Sequence, residues 1–372
     1  MQDSSPPVPL SESGCSRLSI ADTARRELCS NHHACARQEE HRMRLGLILM
    51  APSIQDQLAA ARHAEARGFH SVWTTEFHNH NAFVRLTAVA ATTQRVQVGT
   101  AIAYAFMRTP LLAASAAMDI DELSGGRVIL GLGSGTRSMN ERWYSMPFDK
   151  PPAPRMREAV ELIREAIRAQ KGGGLVFEGE HYKVKIPMYA RPGAPRERIP
   201  IYIAGVNRGM IRAAAAVADG LIGHPVYTRK YISERVLPEL EGSSCELTPY
   251  IVCSISDDVE QARREARAQI AFYYTTRLYH SILDVHGWRE VGEKIAQAFR
   301  SQDFAGMAAA VPDELLDAIA ITGRPEEARD QLQQWQGLTD HVLLYPPSTG
   351  ADPARLRENV AAIIDTFGPH AA

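Results

Sequence analysis

From Met43 onward, short apolar runs bounded by Gly or Asp alternate with longer Ala-rich stretches in which apolar residues recur at helical spacing. An apolar run of four to eight residues with little alternation is typical of a buried parallel strand, whereas recurrence every three to four residues indicates a helix. The runs predict strands at Leu45–Met50, Ser71–Thr75, Val96–Ile102, Val128–Leu132, Ile201–Ala204, Gly220–Gly223, Leu247–Val252 and Val342–Tyr345. The stretches between them predict helices at Gln55–Arg67, Phe83–Thr93, Leu111–Leu123, Arg155–Ala169 and Met210–Ala218.

This order of strand and helix predicts an α/β protein with a (β/α)₈ TIM barrel, because closure of a parallel sheet leaves no exposed strand edge. Two connections are longer than ordinary βα loops. Residues 171–199 contain Phe177–Val184, which predicts a β-hairpin, and residues 256–322 are predicted to be largely helical. Insertions of this length usually cover an active site, so we expect both at the C-terminal mouth of the barrel.

Residues 1–42 show neither the apolar runs of a strand nor the helical spacing of apolar residues, and they are rich in Ser, Pro, Arg and His. This composition predicts a disordered tail ahead of a barrel domain at 43–372. The tail carries Cys29, His32, His33 and Cys35, which are residue types that bind zinc. A structural zinc site needs four ligands on a folded frame, so no metal site is expected. A translation start placed too early is a simpler explanation of the tail, since Met43 opens the first strand.

Composition excludes several classes of function. The 372 residues hold 41 Lys and Arg against 43 Asp and Glu, a formal charge of -2, and no basic run could follow a nucleic-acid backbone. No apolar run approaches the roughly 18 residues that span a bilayer, and the N-terminus lacks signal-peptide features. An odd count of five cysteines argues against a disulfide framework. We therefore expect a cytoplasmic protein that acts on a small molecule.

Polar residues crowd the end of the second predicted strand, where Trp73 is followed within a few positions by Glu76, His78 and His80. In a parallel barrel the catalytic groups come from such strand ends, and a carboxylate with an imidazole can move protons at a bound heterocycle. Glu76 and His78 are the candidate catalytic residues. The alternative is a polar loop that only caps the next helix, with Asn81 as the N-cap.

Glycines follow the fourth and fifth predicted strands. The run Gly131–Gly135 has GxGxG spacing, which matches neither a dinucleotide fingerprint nor a Walker loop. After the fifth strand, small residues enter a helix whose free N–H groups could bind a phosphate. This candidate cradle is Ala204-Gly205-Val206-Asn207-Arg208-Gly209. The alternative is a tight turn in which glycine serves only the backbone.

Together these motifs resemble the bacterial luciferase-like family of flavin-dependent oxidoreductases, from about Met43 to Gly368. The segments that carry the resemblance are Val72-Trp-Thr-Thr-Glu76-Phe-His78, Val98-Gly-Thr-Ala101-Ile102, Arg108-Thr-Pro110, Asp121-Glu-Leu-Ser-Gly-Gly-Arg127, Leu130-Gly-Leu-Gly-Ser-Gly135, Ala218-Asp-Gly220 and Thr322-Gly-Arg-Pro-Glu-Glu327.

The resemblance implies a barrel that binds FMN or its 8-hydroxy-5-deazaflavin relative, coenzyme F420, over the strand ends. It implies a non-prolyl cis peptide at Ala101–Ile102 behind the ring, a ring contact from Asn140, and the phosphate at Ala204–Gly209. Glu76 matches an acidic residue near the reactive edge. Where luciferases carry a catalytic histidine next to that acid, this chain has Phe77, and His78 is the candidate substitute.

The resemblance leaves alternatives open for the reaction. The run from Ala105 to Pro110 resembles the deazaflavin branch, which favours hydride transfer between F420 and a small organic substrate. The alternatives are a reduced-FMN monooxygenase, a non-redox barrel enzyme using Glu76 and His78 as acid and base, and a coenzyme-free binding protein. The assembly is left open, with a homodimer as one form. Insertion side chains expected to shape the substrate pocket, or to serve only packing, are Tyr273, Tyr274, Arg277, His280 and Trp288.

Overall fold

The computed structural model describes residues 43–148, 150–191 and 196–368, so the predicted tail at 1–42 lies outside the described residues. Within these ranges the strands are β1 Arg44–Ile48, β2 Ser71–Thr74, β3 Gln97–Thr100, β4 Ala103–Tyr104, β5 Val128–Gly133, β6 Leu175–Glu178, β7 Lys183–Ile186, β8 Ile201–Gly205, β9 Gly220–Gly223, β10 Glu246–Ile255, β11 Ala320–Gly323 and β12 His341–Tyr345.

The α-helices are α1 Ile54–Ala66, α2 Ala82–Thr92, α3 Pro110–Ser124, α4 Pro152–Ala169, α5 Arg208–Val217, α6 Arg229–Tyr231, α7 Leu237–Leu240, α8 Val259–Tyr274, α9 His280–Asp284, α10 Arg289–Arg300, α11 Phe304–Ala309, α12 Asp313–Ile319, α13 Pro325–Gln333 and α14 Pro353–Phe367. Two π-helical turns lie at Met139–Trp143 and Ile232–Val236, and a 3₁₀ turn lies at Arg277–Tyr279.

Eight parallel strands close into a barrel in the order β1-β2-β3-β5-β8-β9-β10-β12, and β12 pairs again with β1. These are the eight strands predicted from the sequence, and the predicted TIM barrel is confirmed. Closure pairs Leu45 of β1 with Val342 of β12, residues almost three hundred positions apart. The mouth formed by the C-terminal strand ends therefore collects residues from the whole chain.

The barrel interior is packed around Trp73 of β2, which is fully buried. On β3, opposite this indole, stands Gly99, where an added Cβ would lie 2.4 Å from Trp73 Cε3. A close approach of that kind admits no side chain, so glycine is required beside the tryptophan.

Two features of the sheet differ from the prediction. The predicted third strand at Val96–Ile102 is broken: β3 ends at Thr100, and β4 pairs separately with β5. The second insertion, predicted to be largely helical, ends in the short strand β11, which pairs with the far end of β10. Strands of two to four residues have too little alternation to stand out in a sequence.

Both insertions otherwise have the predicted character. The hairpin is confirmed, since β6 and β7 pair antiparallel with Phe177 opposite Val184. The second insertion is confirmed as mainly helical, because α8 to α12 occupy most of it. Across the described ranges, every helix is too short or too polar to cross a bilayer.

Arg127, from the shared glycine-rich motif, is a buried structural residue. Its Nε donates to Ser124 O at 2.8 Å, and its two terminal nitrogens donate to Thr93 O at 2.8 Å and Val96 O at 2.7 Å. Further bonds reach Thr93 Oγ1 and Ala90 O, both at 3.0 Å. The guanidinium thus satisfies carbonyls just beyond α2 and α3, which a helix end leaves without partners.

A polar network closes the opposite, N-terminal end of the barrel. His341 Nε2 lies 2.8 Å from Ser71 Oγ, which also accepts a hydrogen bond from Trp73 Nε1 at 2.7 Å. The His70 ring packs edge-on against His341 at 5.2 Å. Burial, followed by the nearby charge of His341, lowers the pKa of His70 to about 4. The fold therefore favours neutral imidazoles here.

Candidate active site

Glu76 lies just beyond β2 and joins two strand ends at the mouth. Its side chain is 6% exposed, and its carboxylate accepts hydrogen bonds from Arg108 at 2.8 and 2.5 Å and from the Tyr104 amide at 2.7 Å. The Glu76 amide in turn donates to Ile102 O at 3.1 Å. Sequence reasoning missed Arg108 as the partner, although Arg108-Thr-Pro110 was a shared motif.

The structure does not bring His78 to Glu76. His78 is exposed, and its ring contacts Phe77 at 4.4 Å and Trp143 at 5.5 Å. His78 therefore lies on an aromatic surface patch beside the mouth, while the carboxylate lies inside.

Part of the same loop serves the next helix. Asn81 is the N-cap of α2, and its Oδ1 accepts from Val84 N at 3.1 Å. Phe77 and His80 exchange backbone hydrogen bonds, both at 3.1 Å, which closes the turn between them. The capping role of Asn81, part of the alternative interpretation of this loop, is confirmed.

The Ala101–Ile102 peptide bond is cis, as the resemblance implied. The Ala101 amide donates to Thr74 O at 2.7 Å, and the hydroxyl of Tyr250, from inside the barrel, donates to Ala101 O. Ile102 keeps some accessible surface at the mouth. Gly133 lies under this side chain, since a Cβ there would be 2.2 Å from Ile102 Cδ1.

Asn140 lies in the π-helical turn after β5 and is fully buried. Its Nδ2 donates to Ser134 O at 2.8 Å and Thr136 O at 2.9 Å. Within the described part of the chain its Oδ1 has no hydrogen-bond partner, although it is buried. An unpaired buried acceptor is costly, so this oxygen is suited to accept from an N–H or O–H group of a ligand.

The predicted cradle connects β8 to α5. Asn207 is the N-cap residue, and the first hydrogen bond of α5 runs from Met210 N to Asn207 O at 2.9 Å, which leaves the amides of Arg208 and Gly209 without a partner within the helix. Two tyrosine hydroxyls hold the preceding carbonyls: Tyr227 donates to Gly205 O at 2.8 Å and Tyr231 to Val206 O at 2.7 Å. Because these carbonyls are engaged from one side, the turn can present N–H groups to an anion on the other.

Two cradle side chains are already engaged. Asn207 Oδ1 accepts from Ser281 Oγ at 2.8 Å, and its Nδ2 donates to Leu278 O at 3.3 Å, which ties the second insertion to the cradle. Arg208 is 69% exposed, and its Nε donates to Glu239 at 2.7 Å. Phosphate binding at this turn would therefore depend mainly on backbone amides.

An aromatic cluster that sequence reasoning missed lines the mouth beyond β9. His224 packs against Tyr273 at 4.8 Å and Tyr279 at 4.0 Å. Tyr273 in turn donates from its hydroxyl to that of Tyr345, at the end of β12, at 3.2 Å. The signal available in the sequence was His224 itself, which directly follows the sixth barrel strand.

The other insertion residues have different positions. Tyr274 and His280 are buried, and His280 Nε2 lies 2.9 Å from Tyr274 O, so both serve packing. Trp288 stacks on His286 at 4.1 Å. Arg277 is exposed. Of the five residues named from the sequence, Tyr273 is the one that belongs to the aromatic cluster.

A non-redox acid–base barrel would need a second carboxylate at the mouth. Asp219 lies at the opposite end, just before β9, where it accepts from Ile201 N at 2.8 Å and from Arg164 at 2.7 Å. Its role is to hold the base of two strands together, so it cannot act beside Glu76.

Comparison with known proteins bears on the family and the fold of this chain. The model of the luciferase-like monooxygenase family matches residues 28–341. The chain is 35% identical over 314 residues to an uncharacterized protein of Mycobacterium tuberculosis, covering 78% of this chain and 91% of that one. It is 30% identical over 299 residues to the 5,10-methylenetetrahydromethanopterin reductase of Archaeoglobus fulgidus, covering 76% and 87%.

Solved structures share the fold. The coenzyme F420-dependent tetrahydromethanopterin reductase of Methanopyrus kandleri has a TM-score of 0.75 at 22% identity, covering 89% of this chain and 100% of that one. The oxygenating component of 3,6-diketocamphane monooxygenase from Pseudomonas putida, in complex with FMN, has a TM-score of 0.63 at 15% identity, covering 89% and 99%.

Proposed function

The chain belongs to the luciferase-like monooxygenase family, and within it we propose that this protein transfers hydride between coenzyme F420 and a small organic substrate. The observation that carries the proposal is that the turn at Gly205–Gly209, the candidate phosphate cradle, and the unpaired, buried Asn140 oxygen both follow barrel strands at the same mouth. The 30% identity to an archaeal methylenetetrahydromethanopterin reductase supports the reductive branch of the family.

The described residues fit a flavin-type group. Gly205 keeps the turn open, since a Cβ there would lie 3.0 Å from Leu221 Cδ1 and 3.3 Å from Ile211 N. The amides at the start of α5 would hold the phosphate, and Asn140 Oδ1 would accept from a polar hydrogen of the ring. Ala101 and Ile102 would support the ring face. When bound, F420 supplies a ring carbon that accepts or donates hydride.

In this proposal the protein positions the reactants and handles the accompanying proton. Glu76 is held by Arg108 and the Tyr104 amide, so its carboxylate has a defined position at the edge of the site. The His78 imidazole is exposed to solvent beside the mouth. We assign Glu76 to proton transfer near the coenzyme and His78 to exchange with solvent.

A second candidate is oxygen insertion with reduced FMN. It is favoured by one observation, the shared fold of the FMN-bound Pseudomonas putida monooxygenase. The two coenzymes would use the same cradle, because each carries a phosphate beyond the ring system. The choice between them depends on which ring the mouth accepts.

Titration of the purified full chain with F420 and with FMN, followed by ligand fluorescence, tests the proposal. We expect saturable F420 binding at least tenfold tighter than FMN binding, and weaker binding of F420 to Gly205→Val. Tight binding of FMN alone would transfer the assignment to the monooxygenase candidate. Absence of binding of either coenzyme to the wild-type chain would refute both.

A further inference from the structure

The aromatic cluster around His224 consists of rings that pack against one another and keep part of their surface accessible. Burial dominates the pKa of His224, Tyr273 and Tyr279, yet each of these rings keeps some accessible surface. These side chains are closely surrounded by protein, yet water still reaches them. They therefore line an internal crevice rather than the outer surface. The rings follow β9 and the second insertion, so the crevice opens at the mouth.

One nitrogen of His224 is a hydrogen-bond donor that faces this space. Its Nδ1 accepts from Val226 N at 3.4 Å, which places the proton of the neutral ring on Nε2. In the described part of the chain Nε2 has no protein partner, and it is absent from the buried atoms that lack one. Nε2–H is therefore accessible from the crevice.

The wall around this donor is uncharged. Burial is the sole cause that lowers the pKa of His224, to about 3, and it is likewise the sole cause that raises the pKa of Tyr279, to about 12. The groups that contact the His224 ring are Tyr273, Tyr279 and the Val226 amide, all of them uncharged. The Glu76 carboxylate at the mouth is paired with Arg108. A substrate with a phosphate or carboxylate would thus lose its hydration without gaining a cation.

We propose that the crevice binds an uncharged substrate between its tyrosine rings, and that His224 Nε2–H donates a hydrogen bond to a carbonyl or hydroxyl oxygen of that substrate. This inference rests on the proposed function, in which the coenzyme occupies the cradle beside the crevice. His224 is a positioning residue that selects for a neutral oxygen at the reacting end. The flat aromatic walls select for an apolar or aromatic body.

Acetophenone and phenylglyoxylate provide a matched test, because both place a ketone next to a phenyl ring and the second adds a carboxylate. Their binding to the coenzyme-loaded full chain is measured by ligand-observed NMR titration. We expect acetophenone to bind at least about tenfold more tightly than phenylglyoxylate, since the crevice offers no cation to the carboxylate. Equal or tighter binding of phenylglyoxylate, or no binding of acetophenone, would overturn the proposal.

Variants at His224 separate the hydrogen bond from packing. His224→Phe keeps a ring but removes Nε2–H, so acetophenone binding should weaken about threefold to tenfold, the effect of losing one neutral hydrogen bond. His224→Gln should recover part of that loss. His63→Phe, on exposed α1, is the matched control and should match wild type. Unchanged acetophenone affinity in His224→Phe would refute the role of the donor.

Coenzyme affinity, measured in the same samples, distinguishes failure of this inference from failure of the proposed function. F420 should bind wild type and His224→Phe equally, because His224 lies outside the cradle. The acetophenone affinity of wild type should also stay constant between pH 5 and pH 8, since His224, with its pKa near 3, remains neutral there. A loss of affinity near pH 6.5 would contradict a neutral donor.

Discussion

Removal of Arg108 provides the sharpest test of the site geometry. Arg108→Met keeps an unbranched apolar stem but takes two of the three N–H donors away from the Glu76 carboxylate. Breaking a buried ion pair by removing one partner costs about 3–5 kcal/mol. Since the Arg108 side chain is 17% exposed and Glu76 only 6%, we expect the lower end, about 3 kcal/mol.

This free energy should be visible in thermal unfolding. With about 2.1 cal/mol/K of unfolding entropy per residue, a barrel of roughly 330 residues loses about 1 °C of Tm per 0.7 kcal/mol. Arg108→Met should therefore lower Tm by about 4 °C. Arg168→Met is the control, because its pair with Glu165 is exposed at 61% and 45% and should cost less than about 0.5 kcal/mol.

A double-mutant cycle separates pairing from chemistry. Glu76→Gln turns an amide donor toward the guanidinium, so this single variant also leaves its partner badly paired. The double variant Glu76→Gln with Arg108→Met should therefore lose about 2–3 kcal/mol less stability than the sum of the two single losses. In turnover, Glu76→Gln should lower kcat by about 10²–10⁴-fold if Glu76 transfers a proton. Arg108→Met retains the carboxylate and should lose less.

Three results would contradict this reasoning. A coupling free energy near zero would show that the two side chains are not a buried pair. Normal kcat in Glu76→Gln, with an unchanged pH–rate profile, would remove Glu76 from proton transfer. Equal loss of kcat in both single variants would mean that Glu76 only positions its neighbours.

Four further outcomes are expected. Gly205→Val should weaken F420 binding but keep the circular dichroism of the fold, because the new Cβ would lie 3.0 Å from the end of the Leu221 side chain; unchanged Kd would refute the cradle. Arg127→Met should reduce the free energy of unfolding by about 3–5 kcal/mol in urea, since five hydrogen bonds are lost; a loss below 1 kcal/mol would be contradictory. Stability should fall as pH drops from about 6.5 to about 4, because the folded state holds His70 neutral while the unfolded chain takes up the proton; a His70→Gln variant with the same slope would exclude this group. A chain beginning at Met43 should keep Tm and coenzyme affinity; a large loss of either would show that residues 1–42 belong to the barrel domain.

The hydrophobic pattern was sufficient to predict the barrel. The eight barrel strands are rich in apolar residues and buried along most of their length, since both of their faces are covered, and helical periodicity located five helices to within three residues of their bounds. The sequence did not predict β4 and β11, because these short strands are defined by hydrogen bonding to a neighbouring strand and not by a hydrophobic pattern of their own. The two-residue β4 exists because the chain turns at the cis bond and meets β5, and β11 exists because β10 extends past its barrel neighbours.

For the candidate site, the sequence alone determined which residue types stand at which strand ends: Glu76 after β2, Asn140 beyond β5 and the small residues after β8. Only the tertiary structure decided what each of them contacts. Glu76 meets Arg108 from 32 positions away, and His224 meets Tyr273 on an insertion helix. Local periodicity reports which face of an element is buried, whereas partners at a barrel mouth are set by closure, which brings distant strand ends to the same place.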